Sequence, residues 1–396
     1  MLPVVTQIRL TDTLLQQIAA EHGTPLYVYD LDSVRARLQQ LRETLPEASI
    51  RYAVKANPSA AVLRTLAQTG AGAEVITEGE LVRALEAGIS AADVLVGGPA
   101  QGAELRQRAL TAGVGAVSLD SESQWDDWQP ELEQAVGPAP AFLVRVNPAL
   151  DPRTHQHLAT GSADSKFGLL PEAAARLASR LSDSGHFAGF HVHAGSQLGD
   201  LGVFRGVLDV LDPLCREFPG TLLDLGGGYR VPDFPLSGYA ELVRPFAARH
   251  GLQLIIEPGR WLVAEAGVLL STVLHVKPGD VTHVIADAGM ADLLRPALYG
   301  AEHPVRIAGA RAGRSELTVD VDGPLCENAD RLARQVVLPE PRRGDLLVIG
   351  EAGAYGLGMA SNYASSLRAA EVAVESGSHR LVRRREEPAD LLRSEL

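Results

Sequence analysis

Cysteine and long apolar segments are scarce in this chain. Its 396 residues include only two cysteines, Cys215 and Cys326, too few for a disulfide framework or a cysteine-rich metal cluster and typical of a reducing compartment. No apolar run approaches the roughly 20 residues that cross a bilayer, and the first residues lack the basic and apolar regions of a signal peptide. We therefore expect a cytoplasmic protein without a membrane partner.

Positive charge is also in deficit. The chain has 36 lysines and arginines against 49 aspartates and glutamates, which gives a net charge of −13. Nucleic acids and membrane surfaces are polyanionic, so this charge argues against either as a partner. With 46% apolar and 21% charged residues, the composition is that of a globular protein long enough for two domains and a sizeable core.

Short apolar runs alternate with segments of helical periodicity through the first two thirds of the chain. We predict a helix over 11–21, a strand over 26–29 and a helix that is capped by Asp32 or Ser33 and ends near Leu41. Eight further strands are predicted at 49–55, 72–77, 93–98, 116–120, 141–147, 189–194, 222–225 and 253–256. Strands that alternate with helices pair in parallel, and eight such units predict a closed (β/α)8 barrel. An open doubly wound sheet is the structural alternative, but no dinucleotide fingerprint follows the first strand.

After residue 268 the pattern changes to strands separated by turns. These strands are predicted at 268–276, 283–286, 306–307, 316–321 and 345–349, with a hairpin at 371–374 and 380–385. The predicted fold class is α/β: a (β/α)8 TIM-like barrel plus a C-terminal all-β domain of the sandwich or barrel type. We assign residues 1–32 to a segment that contributes a strand to the β-domain, 33–268 to the barrel and 269–396 to the β-domain.

Reactive and small residues collect where the predicted barrel strands end. Lys55 ends the first strand, His193 and Ser196 follow the sixth, and the glycines at 226–228 and Glu257 follow the seventh and eighth. One face of such a barrel gathers the C-terminal ends of its strands and holds the active site, so we expect these residues to converge. A lone strand-end lysine ordinarily extends to the rim, whereas a desolvated one is a nucleophile for an aldehyde.

The residue types at these strand ends predict a pyridoxal-phosphate site. The glycines let backbone N–H groups approach a phosphate, which barrels usually bind after their seventh and eighth strands. Glu257 could pair with Arg260, or could hold the protonated ring nitrogen of the cofactor. His193 could be a core histidine, or could stack on the cofactor ring while Ser196 turns toward the phosphate.

Three clusters stand out in the predicted β-domain. Arg295 and Tyr299 suit a carboxylate, Cys326 adjoins Glu327, and Tyr355 lies among small residues. Each cluster alone also fits a turn or a core contact. No metal site is predicted, because the histidines lack a matching ligand pair. The histidines considered are His155, His157, His191 and His193.

Taken together, the motifs resemble those of the fold type III pyridoxal-phosphate decarboxylases, the group of ornithine and diaminopimelate decarboxylases, and most closely those of its diaminopimelate branch. They run in order through nearly the whole chain: YAVKAN at 52–57, TG at 160–161, SKFG at 165–168, HAGSQ at 193–197, DLGGG at 224–228, EPGR at 257–260, DAGM at 287–290, RPALY at 295–299, GPLCE at 323–327, GAYGLGM at 353–359 and SNY at 361–363. Some positions depart from the family pattern, none with an assigned role: Glu74, Thr77, Glu78, Ala194, Ala291 and Asn328.

The resemblance implies a role for each candidate residue. The implied cofactor-binding residues are Lys55 as the Schiff-base lysine, His193, Ser196, Gly226, Gly227, Gly228, Glu257, Gly259, Arg260 and Tyr355. The implied substrate-binding residues are Arg260, Arg295, Tyr299, Glu327 and Tyr355. The implied catalytic residues are Lys55, His193 and the proton donor Cys326.

The implied reaction is the decarboxylation of meso-2,6-diaminopimelate to L-lysine and carbon dioxide. The resemblance also implies a homodimer with shared active sites, because Cys326 and Glu327 would reach the site of the neighbouring subunit. A decarboxylase of ornithine, lysine or another basic amino acid is the first alternative, an amino-acid racemase the second and a non-enzymatic cofactor-binding protein the third. The polar loop at 149–165 is expected to act as a lid.

Overall fold

The computed structural model describes residues 10–150, 165–310 and 313–395. The chain forms two compact units: a barrel unit, Arg37–Trp261, and a sheet unit that comprises Met1–Ala36 and Leu262–Leu396. The first elements in chain order are helix α1 (Asp12–His22), strand β1 (Leu26–Asp30) and helix α2 (Leu31–Thr44). Among the helices of the described ranges, none combines the length and the apolar character needed to cross a membrane.

The predicted cap of α2, Asp32 or Ser33, is wrong, because the residue that caps the helix lies earlier in the chain. Asp30 caps the helix, because its Oδ1 accepts hydrogen bonds from the backbone N–H groups of Asp32 at 3.0 Å and Ser33 at 3.2 Å. An aspartate one residue before a helix satisfies N–H groups that have no partner inside the helix. Asp32 and Ser33 are therefore residues of the first turn rather than the cap.

Eight parallel strands close into a barrel in the barrel unit, and the last strand pairs with the first. The strands are β2 (Ser49–Ala53), β3 (Gly72–Val75), β4 (Val94–Val96), β5 (Ala116–Leu119), β6 (Ala141–Arg145), β7 (Phe187–His191), β8 (Leu222–Asp224) and β9 (Gln253–Ile256). The longer helices between them are α3 (Ala60–Gln68), α4 (Glu78–Glu86), α5 (Ala103–Ala112), α6 (Glu122–Leu132), α7 (Pro171–Asp183), α8 (Leu201–Glu217) and α9 (Leu236–His250). Most strand residues are buried, as expected for parallel strands covered on both faces. The predicted (β/α)8 TIM-like barrel is confirmed.

The first barrel strand ends earlier than the predicted range of 49–55. It stops at Ala53, and residues Val54–Ala56 form a single 3-10 turn that contains Lys55. The turn is held on its C-terminal side by Asn57, whose backbone N–H donates to the Val54 carbonyl at 3.1 Å and whose carbonyl accepts from the Tyr52 hydroxyl at 3.1 Å. Lys55 is therefore presented by a turn just beyond the strand.

The described part of the sheet unit contains one mixed, nine-stranded sheet, and three short helices follow the barrel strands in addition to α1. The helices are α10 (Arg260–Val263), α11 (Arg295–Tyr299) and α12 (Pro388–Leu391). The remaining strands are β10 (Gly267–Lys277), β11 (Thr282–Ala286), β12 (Val305–Ile307), β13 (Glu316–Asp322), β14 (Arg331–Pro339), β15 (Leu346–Ile349), β16 (Ala370–Glu375) and β17 (Ser378–Arg383). The strand order is β14-β13-β11-β10-β1-β16-β17, and β15 pairs with β10 and β12. The predicted β-domain after the barrel is confirmed.

Two features of this sheet explain its stability. β1 pairs antiparallel with β10 and parallel with β16, so a strand from the start of the chain lies between two strands from its end. Apolar side chains of α1 pack on the same sheet, with Leu15 and Ile18 fully buried against Val28 and Leu270. Burying each such side chain contributes roughly 1.5–3 kcal/mol.

Strand β14 was not among the predicted strands. Its residues, Arg331–Pro339, pair antiparallel with β13 and include Arg334 and Gln335 in the middle. Gln335 has a positive φ of 48°, and the register shifts next to it, which marks a bulge. A charged and polar interior with a bulge interrupts the apolar alternation from which strands are predicted.

Candidate active site

Lys55 lies beside a buried carboxylate. Its Nζ donates to Oε2 of Glu74 at 2.7 Å, and the Lys55 side chain is 36% exposed whereas that of Glu74 is 5% exposed. Glu74 belongs to β3, the neighbour of β2 in the barrel. The lysine thus has a charged partner that holds its amine at the C-terminal end of the barrel, where an aldehyde could reach it.

Glu80 is a second carboxyl group near this pair. Burial raises the pKa of Glu80 to about 7, and the negative charge of Glu74 adds to the effect, while the backbone N–H of Ile76 opposes it by donating to Oε2 of Glu80 at 2.8 Å. Sequence reasoning placed Glu74 at the barrel mouth, as a departure from the family pattern that could alter cofactor contacts, and did not consider Glu80. Neither residue belongs to a motif that would have identified it.

Two carboxyl groups and an imidazole lie together at the C-terminal ends of β7, β8 and β9. Asp224, Glu257 and His191 are all buried, and each has an oxygen or nitrogen atom within 4.8 Å of the other two. Burial raises the pKa of Asp224 to about 6 and raises the pKa of Glu257 as well, and the negative charge of Asp224 further disfavours the ionisation of Glu257. The pair therefore holds a proton more readily than a solvated carboxylate would.

His191 is held neutral in this cluster. Burial lowers its pKa well below the usual value, and the positive charge of Arg145 lowers it further. Its Nδ1 lies 2.7 Å from the Ser118 hydroxyl, and its Nε2 lies 3.7 Å from Oε2 of Glu257. Sequence reasoning placed His191 at the end of the sixth barrel strand and rejected it as a metal ligand without giving it another role, and it missed Ser118 altogether.

The polar atoms that remain unpaired in this cluster test whether a pyridoxal ring fits there. Among the described residues, Oε1 of Glu257, Oδ2 of Asp224 and Nε2 of His191 are buried without a hydrogen-bond partner. Leaving such groups unpaired costs free energy, so native proteins usually satisfy them. The protonated nitrogen of a pyridine ring is a hydrogen-bond donor, and Oε1 of Glu257 is a buried acceptor without a donor. The residues present therefore fit the cofactor.

The predicted glycine loop lies next to Glu257 and His193. Gly226 and Gly228 have positive φ values of 64° and 88°. A Cβ atom on Gly227 would lie 2.2 Å from the Glu257 carbonyl oxygen, and one on Gly228 would lie 2.0 Å from the Gly195 carbonyl oxygen. Only glycine permits this close packing of three loops, and it exposes backbone that can approach a phosphate.

His193 is oriented by the same loop. The backbone N–H of Gly227 donates to its Nδ1 at 3.2 Å, and burial together with the positive charges of Arg145 and Lys55 lowers the His193 pKa to about 3. The ring is therefore neutral, which suits a flat stacking partner rather than a charged ligand. Gly259 lies close to the Lys55 turn, since a Cβ atom there would lie 3.1 Å from the Ala56 Cβ.

The structure thus brings together most of the residues predicted at the barrel strand ends. Lys55, His193, the 226–228 glycines, Glu257 and Gly259 are joined by the contacts described above. Ser196 is exposed one residue after Gly195, and Arg260 is half-buried at the start of α10. The predicted lid at 149–165, the TG motif and His155 and His157 lie almost entirely outside the described residues.

In the sheet unit, Arg295 and Tyr299 lie on the short helix α11. Arg295 is half-buried, Tyr299 is 66% exposed, and the helix ends at Gly300 with a positive φ of 62°. The Arg295 Nη1 lies 2.9 Å from Nε2 of the buried His303. The α11 helix therefore presents a guanidinium and a phenol from neighbouring turns.

Cys326 and Glu327 lie on the exposed loop between β13 and β14. The Tyr363 hydroxyl donates a hydrogen bond to Glu327 Oε1, and this bond and the negative charge of Glu327 raise the pKa of Tyr363. Tyr355 lies elsewhere in the sheet unit, half-buried, with a positive φ of 56° that is unusual for a bulky residue. These residues belong to a different compact unit from Lys55 and Glu257.

Two groups of side chains have the spacing of metal ligands within the described ranges. One is the Asp224, Glu257 and His191 cluster in the barrel; the other is Glu21, His22 and His379 in the sheet unit. In the second group Nε2 of His379 lies 3.0 Å from Oε2 of Glu21, so a hydrogen bond already accounts for that contact. The first group includes Glu257, the residue predicted to bind the ring nitrogen of the cofactor.

Comparison with known proteins supports the same chemistry. Residues 31–264 match the family model described as pyridoxal-dependent decarboxylase, pyridoxal binding domain. A diaminopimelate decarboxylase of Deinococcus radiodurans is 40% identical over 385 residues, which covers 96% of this chain and 98% of that protein.

Solved structures extend the similarity to the whole fold. The crystal structure of diaminopimelate decarboxylase from M. jannaschii has a TM-score of 0.90 at 31% identity and covers 96% of this chain and 94% of that one. The diaminopimelate decarboxylase from Helicobacter pylori, solved in complex with L-lysine, has a TM-score of 0.88 at 32% identity, and the match covers 96% of this chain and 98% of that one. The similarity therefore includes both compact units.

Proposed function

The chain belongs to the pyridoxal-dependent decarboxylases, and from this premise we propose that it converts meso-2,6-diaminopimelate to L-lysine and carbon dioxide. The observation that supports this substrate is that the similarity continues through the sheet unit, where Arg295 and Glu327 lie, at 40% identity over 96% of the chain. This substrate has an ammonium and a carboxylate at each end. A site with buried polar groups for the second end rejects amino acids that lack it.

The proposed cofactor site lies in the barrel unit. Bound pyridoxal phosphate supplies an electron sink for the electron pair that departing carbon dioxide leaves on the substrate. Lys55 supplies the amine that holds the cofactor aldehyde, and Glu74 orients that amine. His193 packs its neutral ring on the cofactor, and Glu257 binds the ring nitrogen. The phosphate is held by Ser196, Gly226, Gly227, Gly228, Gly259 and Arg260, and Tyr355 also contacts the cofactor.

The proposed substrate site uses residues of the sheet unit. Arg295 and Tyr299, with Arg260, bind the carboxylate at the end of the substrate that does not react. Glu327 binds the ammonium at that end, and the hydroxyl of Tyr363 orients it. Cys326 donates a proton to the carbon from which carbon dioxide has left, because a thiol has a pKa close to the working pH.

We further propose a cytoplasmic homodimer in which Cys326 and Glu327 complete the site of the partner subunit. The exposure of the Cys326 and Glu327 loop supports this arrangement, since a proton donor needs a dry site that its own exposed loop does not provide. The functional domain boundaries at 32/33 and 268/269 stay predictions. The family match over 31–264 and the barrel unit Arg37–Trp261 support the extent of the cofactor domain.

The reaction can be tested with purified protein, pyridoxal phosphate and a panel of amino acids. We expect L-lysine and carbon dioxide from meso-2,6-diaminopimelate, and neither cadaverine from lysine nor putrescine from ornithine. The Lys55→Ala variant is expected to lose turnover and to lose the cofactor absorbance that survives borohydride reduction. Decarboxylation of lysine or ornithine in preference to diaminopimelate would contradict the proposed substrate, and inversion without carbon dioxide would indicate a racemase.

A further inference from the structure

His303 connects the guanidinium of Arg295 to the end of a sheet strand. His303 is 5% exposed. Its Nδ1 lies 2.9 Å from the carbonyl oxygen of Gly350, the residue that follows β15, and its Nε2 lies 2.9 Å from Nη1 of Arg295. His303 follows helix α11 by only a few residues, so it ties the Arg295 side chain to a strand that is distant in sequence.

The two contacts determine which tautomer the imidazole adopts. A carbonyl oxygen can only accept a hydrogen bond, so Nδ1 of His303 must carry the proton. In a neutral imidazole the other nitrogen then has a lone pair, and Nε2 accepts from the guanidinium, which is always a donor. The arrangement satisfies both ring nitrogens, and no other protonation state of His303 does so.

A carboxylate is bound most strongly by two N–H groups of a guanidinium in one plane. Arginine has five such N–H groups, and the bond to His303 uses one of them. Fixing Nη1 sets the plane of the guanidinium before the ligand arrives, and this reduces the conformational entropy that would be lost on binding. The accepting nitrogen of His303 therefore determines how well Arg295 is prepared for an anion.

We propose that His303 is a positioning residue that makes the site selective for ligands with a distal carboxylate, by holding the Arg295 guanidinium through its unprotonated Nε2. This inference rests on the proposed role of Arg295 in substrate binding. If the inference is right, substitution of His303 should weaken the binding of ligands that have a distal carboxylate. It should leave the affinity for ligands without that carboxylate unchanged.

L-Lysine and cadaverine form a matched pair of probes, because they differ by one carboxylate. L-Lysine keeps the carboxylate of the end of diaminopimelate that does not react, and cadaverine lacks it. The matched variants are His303→Gln, whose amide oxygen can replace Nε2 as acceptor for Arg295, and His303→Asn, whose shorter amide can replace only the Nδ1 donor to Gly350. Both variants keep a polar side chain in the same buried position.

The experiment measures dissociation constants of both ligands for the holoenzyme by calorimetry, together with the thermal midpoint. We expect His303→Asn to raise the dissociation constant of L-lysine about tenfold, which corresponds to about 1.4 kcal/mol of binding free energy. The dissociation constant of cadaverine should change less than twofold. His303→Gln is expected to restore L-lysine binding to within about threefold of wild type. An equal loss for both ligands, or no recovery in His303→Gln, would show a merely structural role.

Arg295→Ala separates failure of this inference from failure of the proposed function. If Arg295→Ala binds L-lysine as tightly as wild type, the role of Arg295 itself is wrong. If Arg295→Ala weakens L-lysine but His303→Asn does not, only the inference about His303 fails. The two losses should not add in the double variant, because both substitutions remove the same contact.

A second measurement is made on the wild-type protein and needs a variant only to assign the resonances of His303. In ¹⁵N-histidine NMR spectra of the wild-type protein, the resonances absent from His303→Gln identify His303, and we expect the tautomer with the proton on Nδ1. A proton on Nε2, or on both nitrogens, at neutral pH would overturn the proposal even if His303→Asn does not fold.

Discussion

Asp224 shows how a single buried residue can couple the stability of the barrel to pH. Burial favours the protonated form of Asp224, as does the negative charge of Glu74, whereas the hydrogen bond that its Oδ1 accepts from the backbone N–H of Gly226 at 2.8 Å favours the ionised form. The pKa of Asp224 is raised to about 6 in the folded protein, from 3.8 for a solvated aspartate. The folded state therefore binds a proton that the unfolded chain releases at lower pH.

The sign of the resulting effect follows from proton linkage. Below about pH 4 both states hold the proton, and Asp224 does not change the free energy of unfolding. Between about pH 4 and pH 6 the unfolded state has lost the proton while the folded state still holds it, so the free energy of unfolding falls as the pH rises. Above about pH 6 both states have lost the proton, and the free energy of unfolding levels off. Glu257, whose pKa is also raised, contributes in the same direction.

We predict that Asp224→Asn stabilises the cofactor-free protein above pH 6 and reduces the loss of stability between about pH 4 and pH 6. The asparagine keeps an oxygen for the Gly226 N–H but cannot ionise. Urea unfolding of both proteins across this range measures the difference, with the exposed Asp209→Asn on α8 as control. An unchanged slope in Asp224→Asn would show that Asp224 ionises in the folded barrel as it does in water.

At the scale of elements, a buried aspartate determines the shape of the loop that presents Cys326 and Glu327. The two carboxylate oxygens of Asp330, which is 3% exposed, accept from the backbone N–H groups of Met290 at 2.5 Å and Leu325 at 2.6 Å. A Cβ atom on Gly323 would lie 2.3 Å from Oδ1 of Asp330. The loop is therefore built around this carboxylate.

We predict that Asp330→Ala lowers the thermal midpoint by several degrees and reduces kcat at least tenfold. Each buried N–H group left without an acceptor costs about 1–3 kcal/mol, and the displaced loop would carry Cys326 out of position. Asp330→Asn, which keeps one acceptor oxygen, should be intermediate. Glu340→Ala, an exposed residue that pairs with Arg342, is the control and should match wild type. Wild-type kcat in Asp330→Ala would contradict the proposed dependence of Cys326 on this loop.

The elements that the sequence predicted correctly are those with a local signal. Each barrel strand is a short apolar run between helices, and each overlaps its predicted range. β14 was missed because Arg334 and Gln335 interrupt its apolar pattern. The extension of the first strand to Lys55 was wrong because a 3-10 turn forms there, held by contacts of Asn57 that no periodicity reveals.

The same distinction applies to the residues of the site. Lys55, the 226–228 glycines and Glu257 lie in motifs, and the structure brings them together. Asp330 and His303 are single polar residues whose partners are distant in sequence, such as Gly350 for His303. Their positions depend on tertiary pairing, for example the antiparallel contact of β12 with β15, which brings His303 to Gly350, and no local pattern could have identified them.

At the scale of the whole molecule, the proposed shared active site predicts complementation between two inactive proteins. Lys55→Ala removes a residue of the barrel unit, and Cys326→Ala removes one from the sheet unit. If each site combines Lys55 of one subunit with Cys326 of its partner, a mixed dimer has one site with both defects and one site with neither. Random reassociation makes half of the dimers mixed, so about a quarter of wild-type activity should return.

The control for this experiment pairs two defects of the same unit. Lys55→Ala mixed with His193→Ala leaves every site of a mixed dimer with one defective barrel, so no activity should return. Reassociation is verified by exchange of differently tagged subunits, and the activity is followed as lysine formed from diaminopimelate. Exchange of subunits without recovery in the first mixture would mean that Lys55 and Cys326 of one chain serve the same site. The dimer would then be dispensable for completing the active site, and the exposed Cys326 loop would have to close over the barrel of its own subunit.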